Sequence, residues 1–247
     1  MMPHKVDGQR DSGLLIIVDH ASNAVPEDID LGVPAPLMAE HMAIDIGTWD
    51  LCHALSQRLS APALLATVSR LVIDLNREED AHTIIPLHSD GHEIPGNASL
   101  SDAERVARID RFWHPYHDAV ADHIAELRPA MLVSLHSFTP MLRSDPHQQR
   151  PWQIGILYND DDRAARLAIP AFEAAGVATG DNLPYSGKVL NATMNRHGEA
   201  NGIAYLGIEV RQDLISDPAG VERWADIIAP IIAETRNGVA REAAFGT

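Results

Sequence analysis

The sequence predicts a single α/β domain with a mixed, mainly parallel central sheet and helices on both faces. Two observations predict it: uninterrupted aliphatic runs are typical of strands buried on both faces, and these runs alternate with segments of helical periodicity. We expect strands over residues 14–18, 63–68, 131–135, 152–158 and 203–210. No repeat or long linker divides the sequence, so we expect one domain over residues 1–247.

Segments of helical periodicity lie between the strands. We expect helices over residues 37–59, 101–127 and 162–175, and a C-terminal helix from 217 to about 236. Ser101 followed by Glu104 is the pattern of a capping box at the start of the second helix, and Gly176 suits the end of the third.

The composition restricts the classes of partner. The chain has 247 residues, of which 45% are hydrophobic, enough to bury a full core. It carries 19 Lys and Arg against 35 Asp and Glu, a net charge of −16, which disfavours nucleic acid and anionic membranes because both are negative. The single cysteine, Cys52, excludes a disulfide framework and a cysteine-based zinc site. With a polar beginning and no apolar segment of about 18 residues, the chain is expected to be cytoplasmic.

Two histidines follow predicted strands. His20 comes soon after the run 14–18, and His136 directly follows the run 131–135. Ligands of open α/β sheets bind outside the carboxyl ends of the strands, so both imidazoles are candidates for one site. The alternative for each is a core histidine bonded to a neighbouring carbonyl.

Asp45 lies in the first expected helix among apolar neighbours, including Met42, Ile44 and Trp49. A carboxylate in so apolar a segment is costly unless it is paired or bound to a cation. Asp45 is therefore a candidate for binding a cation, with a solvated helix face as the alternative.

Polar and apolar residues alternate over residues 69–77, which places Arg70, Asp74 and Asn76 on one side of an extended chain. Arg70 and Arg77, with Asn76 between them, form a fork suited to a carboxylate or an oxyanion, because guanidinium binds planar anions bidentately. The alternative is a surface ion-pair network with the acidic residues that follow.

Two loops and one glutamate add further candidates. Residues 84–97 form a loop of the kind that shapes active sites, although its histidines lack the regular spacing of a metal site. Tyr185, in the turn-rich segment 181–187, either offers its hydroxyl to a substrate or packs as an ordinary aromatic residue. Glu209, flanked by apolar residues, either pairs with Arg211 or serves as a base of adjusted pKa.

Six motifs carry a family resemblance. In chain order they are DHASNAVP, SRLVIDLNRE, HEIPGN, SLHSFTP, DNLPYSG and GIEVRQDL. As an ordered set they are far more specific than any one of them. The chain resembles the N-formylglutamate amidohydrolase family over most of its length. It is more distantly similar to zinc carboxypeptidases and aspartoacylase, which cleave amides beside a carboxylate with one zinc ion, and this implies a phosphorylase/hydrolase-like fold.

By this resemblance, His20 and His136 are ligands of one zinc ion, and Glu209 is the general base that activates its water. A catalytic zinc takes N and O ligands and leaves one position open, so two histidines and a carboxylate suit it without cysteine. The residues implied to act on the substrate are Arg70 at the developing oxyanion, Asn76 and Arg77 at a substrate carboxylate, and Tyr185 and Arg211 as further contacts.

The second zinc ligand departs from the pattern of the distant group, which uses His-x-x-Glu. Three residues after His20 this chain has Asn23, a weaker neutral ligand. We prefer Asp45, a carboxylate in an apolar segment that follows the His20 loop. Asp19 and Glu93 are further alternatives.

The resemblance implies hydrolysis of N-formyl-L-glutamate to formate and L-glutamate, by a cytoplasmic bacterial enzyme of histidine degradation. The implied partner is a small N-acyl amino acid, not a nucleic acid or a membrane. Spacing does not distinguish a formyl from an acetyl group, so a deacylase acting on another N-acyl substrate stays open. So does a protein of a different class, which binds an acidic metabolite without catalysis.

Overall fold

Nine strands form two sheets in the computed structural model, which describes residues 2–245 and leaves Met1, Gly246 and Thr247 outside the described residues. The strands are β1 (His4–Val6), β2 (Leu14–Val18), β3 (Ala63–Leu65), β4 (His88–Ser89), β5 (His92–Glu93), β6 (Met131–Phe138), β7 (Ile154–Leu157), β8 (Thr179–Asp181) and β9 (Ala204–Arg211). The large sheet has the order β1-β3-β2-β6-β9-β7-β8, and β4 and β5 form a separate hairpin.

The large sheet is mixed and mainly parallel. Strand β2 pairs in parallel with β3 and β6, β6 pairs in parallel with β9, and β7 pairs in parallel with β8. The antiparallel pairs are β1 with β3 and β7 with β9. Every residue of β2 and β6 is buried, as expected for central parallel strands covered on both faces.

Two groups of helices flank the sheet, which confirms the predicted α/β class. The helices are α1 (Thr48–Leu59), α2 (Pro95–Ala98), α3 (Asp102–Arg108), α4 (His114–Leu127), α5 (Arg163–Ala174), α6 (Ala192–His197) and α7 (Pro218–Phe245). Helix α7 packs on α1 and α5, which contact the sheet, whereas α4 packs on α6 and β2. No helix within residues 2–245 is both long and apolar enough to cross a membrane.

The helix expected over residues 101–127 is confirmed, with α3 and α4 joined by a π-helical turn at Ile109–Trp113. Its start is the predicted capping box. The Glu104 backbone N–H donates to Ser101 Oγ at 3.3 Å, and the Ser101 backbone N–H donates to the Glu104 carboxylate at 2.8 Å. Two donors that the helix leaves free are satisfied in this way.

The helix expected over residues 37–59 is wrong in its first half. A short 3-10 turn covers Ala35–Ala39, and the α-helix begins only at Thr48. Gly47 adopts φ +81°, and a Cβ there would lie 2.2 Å from the Ile215 carbonyl oxygen, so the chain turns sharply before the helix. Asp45 therefore lies in a loop, where its backbone N–H donates to the His20 carbonyl at 3.0 Å.

The extended strand expected through residues 69–77 is also wrong, because β3 ends at Leu65 and turns follow. Ser69 organises these turns. Its hydroxyl donates to the Ala43 carbonyl at 2.8 Å and accepts from the Leu71 backbone N–H at 3.2 Å. Such local side-chain bonds compete with a strand ladder.

Strands β6 and β9 place two candidate residues side by side. Strand β6 continues past His136 to Phe138, so His136 lies within the strand and not after it. In the parallel register His136 is directly opposite Glu209. Residues in register on neighbouring strands project from the same face of the sheet, so these two side chains share one environment.

Candidate active site

Three buried side chains converge at the end of the central strands. His20 follows β2, His136 lies on the neighbouring β6, and Asp45 comes from the loop before α1. Their solvent exposure is 2%, 6% and 3% respectively. One potential ligand atom from each lies within 4.8 Å of the other two. We call these residues the His–Asp–His cluster.

The Asp45 carboxylate holds the cluster together. Its Oδ2 lies 2.8 Å from His136 Nδ1 and 3.4 Å from His20 Nδ1, and its Oδ1 accepts from the Arg70 guanidinium at 3.0 Å. Burial raises the pKa of a carboxyl, but the neighbouring imidazoles and Arg70 hold the pKa of Asp45 well below its ordinary value. A carboxylate anion therefore faces the Nδ1 atoms of both histidines.

A second buried carboxylate fixes the orientation of His20. Asp74 Oδ1 lies 2.7 Å from His20 Nε2, and the pKa of Asp74 is held far below its ordinary value, against burial, by His20 and Arg70. An ionised carboxylate only accepts hydrogen bonds, so Nε2 carries the proton. His20 Nδ1 is buried and has no hydrogen-bond partner among the described residues. This nitrogen faces the cluster and offers a lone pair there when it carries no proton.

His136 has a comparable arrangement on its other nitrogen. Its Nε2 lies 3.1 Å from Ser134 Oγ and 3.5 Å from Asp19 Oδ2. Asp19 is itself held by Tyr116, whose hydroxyl donates to Asp19 Oδ1 at 2.6 Å. Carboxylates on the outer nitrogens of ligand histidines are the usual outer shell of a metal site.

Glu209 lies beside the cluster, on β9 directly opposite His136. It is 7% exposed, and its Oε2 is buried with no hydrogen-bond partner among residues 2–245. Burial, with a contribution from the Asp45 charge, raises the pKa of Glu209 to about 7, although His136 and Arg70 oppose the shift. A carboxyl group that titrates near neutral pH suits proton transfer.

The cluster opens into a cavity of about 180 Å³ that also contains Arg70, Asn76, Arg77, Tyr185 and Glu209. Arg70 is occupied by acidic partners, donating to Asp45 at 3.0 Å and to Asp74 at 3.4 Å. Asn76 Oδ1 accepts from the Thr193 backbone N–H at 3.0 Å, which fixes the side-chain amide. We call this space the inner cavity.

Tyr185 lines the inner cavity with its hydroxyl held by a buried arginine. The Arg150 guanidinium donates to the Tyr185 oxygen at 3.1 Å and lies 4.9 Å from the ring centroid. Burial and the Glu209 charge raise the pKa of Tyr185, so the phenol keeps its proton at neutral pH. Because Arg150 supplies the bond to the oxygen, the Tyr185 hydrogen is available as a donor.

Comparisons with known proteins identify the family of the chain. A family model described as N-formylglutamate amidohydrolase matches residues 12–216. The chain belongs to the N-formylglutamate amidohydrolase family. It is also 29% identical over 143 residues to an N-formylglutamate deformylase of Pseudomonas aeruginosa, a match that covers 50% of this chain and 51% of that relative. The chain therefore spans about half the length of the curated relative that it matches.

Solved structures support the fold of this amidohydrolase family member. A gene product of Agrobacterium tumefaciens superposes with a TM-score of 0.89 at 29% identity, covering 97% of this chain and 96% of that chain. An N-formylglutamate amidohydrolase from Ralstonia eutropha JMP134 superposes with a TM-score of 0.65 at 21% identity, covering 97% of each chain. At this identity the second likeness shows the fold alone.

Some residues predicted for an amidohydrolase site lie elsewhere. Arg211 forms a bidentate pair with Asp213, at 2.7 and 3.1 Å, and does not line the inner cavity. The alternative in which Glu209 pairs with Arg211 is therefore wrong. Asn23 is exposed and donates to the Met38 carbonyl at 2.8 Å, and Glu93 is exposed on β5. Neither is placed to join the cluster.

One carboxylate of the site, Asp74, was missed as a site residue by the sequence analysis. Asp74 had a signal, because the alternation over residues 69–77 grouped it with Arg70 and Asn76. Asp19 was considered only as an alternative zinc ligand, whereas the structure places it 3.5 Å from the outer nitrogen of His136. His41, which also lines the inner cavity, had no signal in the sequence, since it lies in a segment expected to be an ordinary helix.

Proposed function

We propose that this chain is a zinc-dependent amidohydrolase that cleaves N-formyl-L-glutamate into formate and L-glutamate. The observation that carries the proposal is the buried His–Asp–His cluster with Glu209 beside it, in a cavity that also contains Asn76 and Arg77. Family membership supports the same chemistry. We extend to this chain the cytoplasmic location and the role in histidine degradation that the resemblance implies.

The donor atoms fit one zinc ion. Zinc binds imidazole nitrogen and carboxylate oxygen, and the cluster offers two imidazoles and one carboxylate without any thiolate. His20 Nδ1 is buried without a hydrogen-bond partner among the described residues, and a metal ion that displaces its proton would satisfy it. Asp19, Asp45, Asp74 and Glu209 are all buried around two imidazoles, and so much negative charge favours a bound cation. We assign His20, Asp45 and His136 as the ligands.

Glu209 acts as the general base in this proposal. When bound, zinc supplies Lewis acidity, which polarises the scissile carbonyl and lowers the pKa of water. The Glu209 carboxylate removes the proton from the attacking water and later delivers it to the leaving amine. Arg70 and the Tyr185 hydroxyl line the inner cavity and donate to the negative charge that develops on the carbonyl oxygen.

Arg77 and Asn76 bind the carboxylate of the substrate. Arg77 is only partly used within the protein, since its Nε lies 3.7 Å from Asp74 and its Nη1 donates to the Asn76 carbonyl at 3.4 Å. Its remaining N–H groups are available to a planar anion, which guanidinium binds bidentately. This anchor favours acidic N-acyl amino acids among possible substrates.

A substrate panel tests the proposal. Zinc-loaded protein is incubated with N-formyl and N-acetyl derivatives of glutamate, aspartate and leucine, and released amine is quantified. We expect N-formyl-L-glutamate to give the highest kcat/KM. Turnover confined to the acetyl compounds points to a deacylase on another N-acyl substrate, and binding of glutamate without any turnover points to a non-catalytic metabolite-binding protein.

A further inference from the structure

A second, larger chamber adjoins the inner cavity. Its volume is about 590 Å³, against about 180 Å³ for the inner cavity. The two spaces share four lining residues: His41, Arg70, Arg77 and Tyr185. The shared wall means that a molecule bound at Arg77 has access to both spaces. We call the larger space the outer chamber.

Part of the wall of the inner cavity is apolar and is not shared with the outer chamber. Phe138, Leu157 and Ile208 line it there and are 1%, 6% and 0% exposed. Phe138 lies two residues after His136 on β6, so its side chain is on the same face of the sheet as His136 and Glu209, beside the reacting carbonyl. Little room is left for carbons on the acyl group, which suits formyl. The larger free space borders Arg77, where the proposed function places the amino acid.

The walls of the outer chamber are tied together. Asp90, at the tip of the β4–β5 hairpin, accepts from the backbone N–H groups of Arg143 and Ser144, each at 3.1 Å, and from the Ser144 hydroxyl at 2.9 Å. On the hairpin side, Asn97 donates to the Pro86 carbonyl at 2.8 Å. These bonds hold the two walls at a fixed separation, so the chamber is part of the folded structure.

The lining of the outer chamber is suited to a residue with both apolar and anionic parts. Leu87 is 46% exposed, and Leu142 also contributes to the wall. A large aliphatic side chain on a concave surface is a contact for an apolar group. His82 and His88 line the same chamber, and within residues 2–245 neither imidazole has a hydrogen-bond partner. The Asp90 carboxylate accepts from Arg143 and Ser144, so the two imidazoles and the Arg77 guanidinium are the groups that can bind an anion.

We propose that the outer chamber binds a further amino-acid residue joined by an amide bond to the acidic residue held at Arg77. The substrate class is then the N-formyl-glutamyl dipeptide as well as free N-formylglutamate. Water attacks the formyl carbon, the bond from that carbon to the glutamyl nitrogen breaks, formate leaves, and the amine takes the proton. The second amide bond stays intact. This inference rests on the proposed function and extends it to substrates whose amine product is a dipeptide.

Four substrates test the inference on the zinc-loaded protein: N-formyl-L-glutamate, N-formyl-glutamyl-alanine linked through the α-carboxyl, the γ-linked isomer, and N-hexanoyl-L-glutamate. We expect kcat/KM for at least one formyl dipeptide to exceed that for N-formylglutamate by about tenfold, because a buried apolar contact adds about 1.4 kcal/mol. We expect no turnover of the hexanoyl compound. Formate and amine release are measured together.

A pair of variants links the effect to the chamber. Leu87→Asp should lower the ratio of dipeptide to N-formylglutamate kcat/KM about tenfold. The matched control is Val106→Asp, which changes an exposed aliphatic residue on α3 that lines neither space. The control should leave the ratio unchanged.

The failures of the two proposals are distinguishable. Turnover of N-formylglutamate with both dipeptide ratios at one or below overturns the extension and leaves the proposed function standing. Turnover of N-hexanoylglutamate in place of the dipeptides puts the extra space on the acyl side, and also overturns it. Loss of turnover for every formyl compound means that the proposed function itself has failed.

Discussion

Glu209 is the residue whose replacement separates chemistry from structure most cleanly. For Glu209→Gln we predict retained zinc, retained fold and a kcat lower by at least ~10²-fold, because an amide cannot accept the proton that a carboxylate base takes. Arg211→Gln is the matched control, since Arg211 bonds to Asp213 outside the inner cavity. Single-turnover kinetics with metal analysis provide the measurement. Near wild-type kcat in Glu209→Gln with intact zinc would assign the base elsewhere.

Arg77 is expected to act on binding more than on the chemical step. A carboxylate contact is made equally in the ground and transition states, so Arg77→Ala should raise KM with little change in kcat. The loss of a charge-assisted bond costs about 2 kcal/mol, or about thirtyfold in KM. Arg58→Ala, which breaks surface ion pairs with Glu222 and Asp226, should leave KM unchanged. An unchanged KM in Arg77→Ala would return this residue to an ion-pair role.

Asp74 is expected to act through His20 on metal affinity. Asp74→Asn removes the charge that fixes the His20 tautomer, and replacement of such an outer partner weakens metal binding about 10–100-fold. Competition with a chelator measures the zinc dissociation constant. Asp28→Asn, at a surface pair with Arg111, is the control. Equal zinc affinity in Asp74→Asn and wild type would show that Asp74 is only structural.

Candidate residues were found from the sequence where the chain presents an unusual side chain in an apolar setting. His20, Asp45 and His136 were found this way, and the structure brings them together. Asp74 was missed as a site residue because arginines flank it in the sequence, and an ion pair among neighbours accounts for its charge. Its contact with His20 links residues 54 positions apart, which no local pattern reports.

At the scale of elements, a histidine pair joins α4 to α6. His117 Nε2 lies 3.0 Å from the Leu75 carbonyl and must donate, so the neutral ring accepts at Nδ1 from His197 Nε2, at 2.9 Å. Burial lowers the pKa of His117 to about 3 and that of His197 to about 4. Both imidazoles are therefore neutral in the folded protein at neutral pH.

This pair should make stability depend on pH. The unfolded chain binds protons on these histidines near pH 6.5 and the folded chain does not, so their stabilisation is present above pH 6.5 and is lost as pH falls towards 4. The free energy of unfolding, measured with urea, should fall less between pH 7 and pH 5 in His197→Gln than in wild type. His123→Gln is the control. An identical pH dependence in wild type and His197→Gln would contradict the assignment.

The pH test compares His197→Gln with wild type because other groups in the protein change its stability with pH in the opposite direction. The carboxylates around His20 and His136 raise the pKa of both imidazoles against the effect of burial. Without bound metal, their stabilisation is present below pH 6.5 and is lost as pH rises through the raised values. The difference between wild type and His197→Gln removes this common contribution.

Periodicity predicted elements well where one face packs uniformly and failed where local bonds compete. The strand at Leu14–Val18 and the capped helix from Ser101 follow the sequence pattern. The apolar stretch before Thr48 had helical spacing, yet it folds as a loop because Gly47 takes a positive φ and the Asp45 backbone bonds to the loop of His20. The segment after Leu65 alternates like a strand, but the Ser69 hydroxyl directs it into turns.

At the scale of the whole molecule, the predicted α/β class is confirmed, but the strand order could not be predicted from the sequence. The order places β2, β6 and β9 side by side although more than 100 residues separate β2 from β6 along the chain. This adjacency brings the His20 loop next to His136, and the register of β6 with β9 sets Glu209 opposite His136. Long-range pairing of this kind depends on tertiary packing and not on local pattern.

Formate release during a zinc titration tests the central proposal most directly. Protein stripped of metal is given increasing zinc, and the rate of formate release from N-formyl-L-glutamate is measured with the zinc bound per chain. We predict no activity in stripped protein, recovery to a plateau at about one zinc per chain, and no recovery in folded Asp45→Ala or His136→Ala. Full activity in the stripped protein, or zinc binding unchanged in both variants, would contradict a metal centre at His20, Asp45 and His136.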